Sequence, residues 1–398
     1  MQKYTPIAFE INLRPEGFVF DVHSLLAALM DLQDLRDARG LRYALVTVLV
    51  FVVLAKLSGE DFMCGIAQWV AERKDDLAVT LGLAKAQAPH YTTYGRILGH
   101  AVKIEQLEQI VRVFFTALPS AGHSLIMNLD GKTLRGTLSA GQTQGVHLIA
   151  AYLPGEGLVM AQVEVMLKEN EIPATPRILE VLDLRGKIVT ADALLTQRKI
   201  SPQIVEAGGE YVFPVKENQS QLLEEIQSLF EPEKCVKGFS PATQDFRPAE
   251  KTEKGHGRIE KRTLTVSREL KGYVTWPYAE QVFKLEREFK QTNTGKLTHE
   301  VVYGITSLTT QEAGAARLLE ITRSHWGIES GLHYRRDVTL HEDRCRVRTG
   351  HAAHAVAVIN NLVLGLFARL GYVSAPEARR HFAAHFDGAV NLVLRVST

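Results

Sequence analysis

Two aspartates carry the clearest chemical signal in this chain. Asp130 closes the apolar run SLIMNLDG, and Asp192 lies at the end of KIVTADAL; both segments have the composition of buried strands. A carboxylate in or at the end of such a strand is costly unless it is paired, protonated or bound to a metal. If the strands share a sheet, the two groups emerge near one edge and repel, and a divalent cation would hold them. Mg²⁺ prefers hard oxygen ligands of this kind. A two-metal site needs at least one further acid. Glu329, in RSHWGIES beside Trp326 and Ile328, is the best candidate, because that helical context is an odd place for a surface glutamate. Glu342 and Asp343 in HEDRCRVR are alternatives, although flanking arginines offer them ion-pair partners. Taken singly, either aspartate reads as an ordinary turn residue, since Asp-Gly is common in turns; taken together they favour a site.

The elements that must position these acids follow from periodicity. Residues 20–118 read as helical: an apolar run at 44–57, then Phe62, Ile66, Trp69 and Val70 at helical spacing, then Ile104, Leu107, Ile110 and Val111 on one face. From 121 the pattern becomes β-β-β-α-β-α-β-α. GVHLIAAYLP and GLVMAQVEVML are separated by Pro154-Gly155-Glu156-Gly157, a hairpin signal, and two later strands are each reached through a helix. That order describes an α/β fold, a mixed sheet with helices on its faces. Residues 231–255 read as a polar loop, and 258–308 as three or four antiparallel strands with TNTG as a turn. Helix resumes with TQEAGAARLLEITRSHWGIESGLHY, and a final amphipathic helix is expected near HAAHAVAVINNLVLGLFARLG.

Composition excludes several classes. The 398 residues are 45% hydrophobic and 23% charged, values of a globular chain of two or three domains rather than a disordered one. Lys+Arg is 46 against Asp+Glu 45, so any nucleic-acid footprint has to be local. Three dispersed cysteines with no C-x-x-C pair argue against a disulfide framework or a thiolate zinc site, and a reducing, cytoplasmic setting fits. The N-terminus lacks a secretory layout. The apolar stretch from Tyr43 to Ala55 would cover roughly 20 Å as a helix, short of a bilayer core, so a buried helix and no membrane are expected.

DGKTLRG (130–136), KENEI (168–172), VTADAL (189–194), YVFPVKENQ (211–219), HGRIEKR (256–262), YGITSL (303–308) and RSHWGIESGLHYRRDVTLHEDRCRVRTG (323–350) together resemble a DDE transposase of the ISAs-type insertion-sequence family, the H-repeat-associated proteins. The resemblance covers about 20 to 370. It implies a ribonuclease-H-like mixed sheet with a β-strand insertion, preceded by an all-helical N-terminal domain. The corresponding divisions are a helical DNA-binding domain at 1–118, the first part of the core at 119–230, a β-rich insertion at 231–310, and a helical part at 311–398 carrying the third acid. The family's catalytic acids fall on Asp130, Asp192 and Glu329, with the insertion accounting for the long interval between the last two. Where the wider group has a Tyr and an Arg before the last acid and a basic residue after it, this chain has Thr322, His325 and Arg336.

The implied chemistry is in-line displacement at phosphorus assisted by two Mg²⁺ ions about 4 Å apart, with Mn²⁺ able to substitute. Asp130 would bridge both ions, with Asp192 and Glu329 on the outer sides. Water would free a 3′-hydroxyl at the transposon end, and that hydroxyl would then attack target DNA. Phosphate contacts are expected from Lys132, Arg135, Lys216, Arg258, Arg262, Arg323, Arg336 and Arg344, with His325 and Trp326 among the DNA-binding residues. Aromatic groups among arginines suit stacking on unpaired bases. Partners would be double-stranded DNA at transposon ends and target, with a homodimer expected because two ends must meet. His325 and His333 could assist metal or phosphate, though helix histidines are more often internally satisfied. Trp276 and the pair His351 and His354 read as packing groups. The competing class is a transposase-derived DNA-binding protein that no longer cuts; three intact acids favour the active enzyme.

Overall fold

The structure, a computed structural model, describes residues 21–37, 39, 41–117, 125–138, 145–166, 171–230, 245–255 and 257–395. The leader reading at 1–20, the 118/119 boundary, most of the expected loop at 231–244, residues 168–170 of KENEI, and His256 of HGRIEKR lie outside these residues.

Six helices come first: α1 (Leu25–Met30), α2 (Leu45–Leu57), α3 (Met63–Glu72), α4 (Lys74–Thr80), α5 (Tyr91–His100) and α6 (Ile104–Thr116). Ser24 caps α1 by accepting from the Ala27 N–H, the ordinary role of a serine at a helix start. Every residue of α2 is buried, so the longest apolar run of the chain is the axis of this helical region.

The strands are β1 (Ile126–Thr133), β2 (His147–Leu153), β3 (Leu158–Val165), β4 (Ile188–Ala191), β5 (Glu210–Val215), β6 (Arg247–Gly255), β7 (Arg258–Ser267), β8 (Gln281–Gln291) and β9 (Leu297–Thr306). They form one mixed sheet ordered β3-β2-β1-β4-β5-β9-β8-β7-β6. The hairpin expected at 154–157 joins β2 to β3, with Gly157 at φ 70°. Strands β1, β4 and β5 run parallel, and α7 (Glu171–Glu180) and α8 (Ile200–Glu206) supply the crossovers that parallel neighbours require. After α9 (Ser220–Phe230), four antiparallel strands extend the same sheet, because β9 pairs with β5 from Val212↔Thr306 to Val215↔Tyr303. Strand β6 was expected as loop. Its sequence, RPAEKTEKG, lacks apolar alternation because it is an exposed edge, and Lys and Glu there discourage pairing with another chain.

Helix α10 (Ala315–Ser324) leads into a helical stretch at 326–339. That stretch is α11, and α12 (Ala352–Arg369), α13 (Ala375–Ala384) and α14 (Phe386–Leu394) follow it. The expected amphipathic helix is α12, but it is buried from Ala352 through Phe367, sandwiched between α5, α6 and β3. Among the described residues it is also the one helix long and apolar enough to cross a membrane, and 89% of it is buried inside the fold. One continuous core runs from Leu25 in the helical region, through Leu129 and Phe213 in the sheet, to Leu394.

Candidate active site

Side chains on a strand alternate between faces, so Asn128, Asp130 and Lys132 of β1 look to one side. Helix α11 lies across that side. The end of α10 and residues of α11 meet those three in turn. Asn128 Nδ2 donates to the carbonyls of Ser324 and His325; Asp130 Oδ2 lies 3.4 Å from His333 Nδ1; Lys132 is ion-paired with Asp337.

An α-helix, however, rotates about 40° beyond a full turn in four residues. Here that drift is opposed by wide i→i+5 turns over Glu329–His333 and Arg335–Thr339. His325, Glu329, His333 and Asp337 therefore keep to one line facing the sheet. Such wide turns are frequent at functional sites. Small residues let the helix approach: a Cβ at Gly327 would lie 2.9 Å from Pro154, and one at Gly331 2.5 Å from the Tyr152 hydroxyl.

Asp192 joins from the neighbouring strand. The parallel register pairs Leu129 with Ala191, and Asp130 and Asp192 are the residues that follow. Adjacent strands lie about 4.8 Å apart, so the two acids leave the sheet side by side. The Leu195 N–H donates to Asp192 Oδ1 at 2.9 Å and fixes its orientation. Asp130 is not in a turn. Strand β1 continues through Thr133, so Asp-Gly here serves a half-buried mid-strand position, and the single-residue turn alternative does not hold at Asp130.

The electrostatics are those of an uncompensated site. Burial, and then the charges of Glu329 and Asp192, push the Asp130 carboxyl up to about 8. Burial raises Asp192 as well, opposed by the Leu195 amide and by Lys216. Glu329 moves the other way, held down chiefly by its hydrogen bond with His333. Asp130, Glu329 and His333 present ligand atoms all within 4.8 Å of one another. His333 is only 6% exposed, and its Nε2 is buried without a partner among the described residues. Two hard oxygens with an imidazole, in a setting where the acids repel, fit a divalent cation. Asp192 stays outside this tightest group, and His333, read earlier as more often internally satisfied, is inside it.

The neighbouring histidine has a different task. Thr190 donates its hydroxyl proton to Asn128 Oδ1 and so receives the Nδ1–H of His325. Burial lowers His325 to about 4. It is a neutral link between β4, β1 and the helix.

The expected DNA contacts separate into distinct environments. Lys216 is exposed beyond β5 and close enough to act on Asp192. Trp326 is 54% exposed with the Arg287 guanidinium 5.3 Å over its ring. Arg135 and Arg344 are exposed, the former 3.7 Å from Asp343. Arg258 is exposed beside Glu260, whereas Arg262 is mostly covered and paired with Glu253 and Glu260; Arg323 is half-exposed and also meets Glu253. Lys132 is buried between Asp337 and Asp343 and presents no free charge. Arg336 is a correction. It is 0% exposed, pairs with Glu342 at 2.7 Å and donates to Gln162, so it lies beneath the site instead of on its surface. Trp276 is packing: its indole N–H donates to Ser201 inside the fold. His354 is buried against Glu108 and Glu164, which raise it to about 9.

Acids from β1, from the residue after the adjacent parallel strand β4 and from a helix across their face are donors of a kind that suits a divalent cation. The chain belongs to the transposase DDE-domain family, whose model matches residues 123–366; a second model, described as DDE_Tnp_1-associated, matches residues 26–115. Membership makes it a transposase with divalent-metal dependence. It is 28% identical over 353 residues to "Putative transposase YncI" of Escherichia coli O157:H7, covering 87% of each chain. It is 26% identical over 357 residues to "H repeat-associated putative transposase YhhI" of Escherichia coli K12, covering 87% of this chain and 90% of that one. A chain of a piggyBac transposase synaptic complex with hairpin DNA matches with a TM-score of 0.44 at 10% identity, over 99% of this chain and 80% of that one, too loose a likeness to argue from.

Proposed function

We propose that this transposase cuts DNA at transposon ends and joins the freed 3′-hydroxyl to target DNA, using Asp130, Asp192 and Glu329 as the acids of a two-metal centre in a ribonuclease-H-like core. The observation that carries the reading is the convergence of Asp130, Glu329 and His333 within 4.8 Å, beside Asp192, in a DDE-family chain. The order β3-β2-β1-β4-β5, with a three-strand antiparallel meander and two parallel additions, supports the core assignment.

Mg²⁺, or Mn²⁺ in its place, would polarise the scissile phosphate and lower the pKa of the attacking oxygen. The protein's own residues set the geometry. Asp130 sits centrally on β1, Asp192 is fixed by the Leu195 amide, and Glu329 is held by His333. Lys216 and Trp326 are exposed near this face and suit a phosphate and an unstacked base. Two ends must be brought together for joining, so we propose a homodimer on DNA.

Purified protein incubated with Mg²⁺ and labelled candidate end DNA tests the proposal. Metal-dependent cleavage followed by joined products is expected. Binding without cleavage would instead make this a transposase-derived DNA-binding protein, and nicking of any DNA without joining would make it a plain nuclease.

A further inference from the structure

A fourth carboxylate, that of Glu171, lies against β1 beside Asp130, on the side of the sheet away from α11. Gly131 and Thr133 of β1 point away from α11, toward the start of α7, where Glu171 sits. A Cβ at position 131 would lie 2.2 Å from Glu171 Oε1 and 2.8 Å from His147 Nε2, so no residue but glycine leaves the Glu171 carboxylate its place against the strand. His147 Nε2 is 2.7 Å from Glu171 Oε1, and its Nδ1 is 2.7 Å from Thr133 Oγ1. Cross-strand pairing of Thr133 with His147 sets up that relay. Glu171 is mostly covered, and its charge acts on both Asp130 and Asp192. A glycine, a histidine and a threonine together fix this acid against the strand that carries Asp130. Isolated from a cation it is unfavourable, since like charges at close range repel.

We infer that Glu171 is a fourth acid of the divalent-metal centre, completing it on the Asp130 and Asp192 side through the gap at Gly131 and held in place by His147. Asp130, Glu329 and His333 then serve one side of the centre, and Asp130, Asp192 and Glu171 the other. This rests on the metal-centre reading above. It also gives the Asp130-Gly131 pair a reason: the aspartate faces the helix, and the glycine opens the strand to Glu171.

The test uses the full-length protein stripped of metal by chelation. Mn²⁺ binding is followed by calorimetry, and thermal unfolding is recorded with and without Mn²⁺, for wild type, Glu171→Gln, Glu171→Asp and His147→Gln. Glu171→Gln should weaken Mn²⁺ binding by at least about tenfold and His147→Gln by roughly tenfold. In the metal-free state at pH 8.5, where Asp130 is ionised as well, Glu171→Gln should raise the Tm, because one of the neighbouring like charges is gone. Glu171→Asp, which keeps the charge but shortens its reach, should weaken Mn²⁺ binding without raising the Tm, and it serves if the glutamine variant fails to fold. A Glu171→Gln protein of lower Tm and unaltered Mn²⁺ affinity would make Glu171 no more than a partner for His147 and overturn the inference. Absence of Mn²⁺ uptake by the wild type would instead defeat the metal-centre reading, and this inference with it.

Discussion

The segment from Trp326 to Arg344 supplies charge to two clusters of opposite character. Beneath it, Arg336 and Glu342 are sealed from solvent; Glu342 also accepts from Asn360, and Gln162 accepts from both Arg336 and Asn361. The Arg336 guanidinium holds Glu342 below the usual carboxylate range despite complete burial. Toward the sheet, the carboxyl groups of Asp130, Asp192, Glu329 and Glu171 gather around β1, with His333, His147, Lys216 and the already paired Lys132 among their basic neighbours. One cluster is balanced by the protein; the other leaves Asp130 and Asp192 raised above their ordinary values. A buried charge with its partner in place is structure, and a set of acids without one suits an external cation.

Removing a charge should therefore have opposite consequences in the two places. The largest effect is expected in the sealed cluster. Arg336→Met leaves Glu342 buried without its cation and should cost about 3–5 kcal/mol of stability in urea unfolding. Adding Glu342→Leu should restore most of that loss; a penalty under about 1 kcal/mol for the single variant would show that the cluster is not closed.

Asp130→Asn should do the reverse in the metal-free protein. The Asp130 carboxyl is raised to about 8, so the folded protein keeps a proton that the unfolded chain has already released. Its contribution to stability is therefore whole below the ordinary carboxylate pKa near 4, and is lost as pH rises toward and through 8. At pH 8.5 the variant should be roughly 2–4 kcal/mol more stable than wild type, and near pH 4 equal to it. Mg²⁺ should stabilise the wild type at pH 8.5 and leave the variant largely unmoved. A variant less stable than wild type at both pH values would remove the distinction between the clusters.

The smallest effect calibrates the other two. Glu253 meets Arg262 and Arg323 at the edge of the sheet, where solvent screens the attraction. Glu253→Gln should change stability by less than about 1 kcal/mol, and 1 M salt should shrink the difference further.

Much of this architecture was legible because strand and helix periods are strict. The apolar runs ending at Asp130 and Asp192, the hairpin at 154–157 and the helix-linked strands place both aspartates in one sheet, and the structure sets them on adjacent parallel strands. Glu329 was found through its apolar neighbours. What stayed hidden depends on distant partners. Arg336 reads as one of many arginines, and only Glu342 and Gln162, far apart in sequence, bury it. Glu171 had no local signal beyond standing in KENEI, and its aim at the site depends on a missing side chain at Gly131. Strand β6 gives no signal because an exposed edge needs no apolar alternation, and α12, whose sequence reads as amphipathic, is covered on all sides only because α5, α6 and β3, distant in sequence, pack around it.

The most direct test of the metal-centre account compares wild type with Asp192→Asn for Mg²⁺-dependent cleavage of end DNA, with DNA affinity measured on the same preparations. Asp192 reaches the site from β4, independently of the α11 contacts that join Asp130, Glu329 and His333. The account predicts that cleavage falls by roughly three orders of magnitude or more while DNA affinity is retained. Undiminished cutting by Asp192→Asn would take Asp192 out of the site and contradict it.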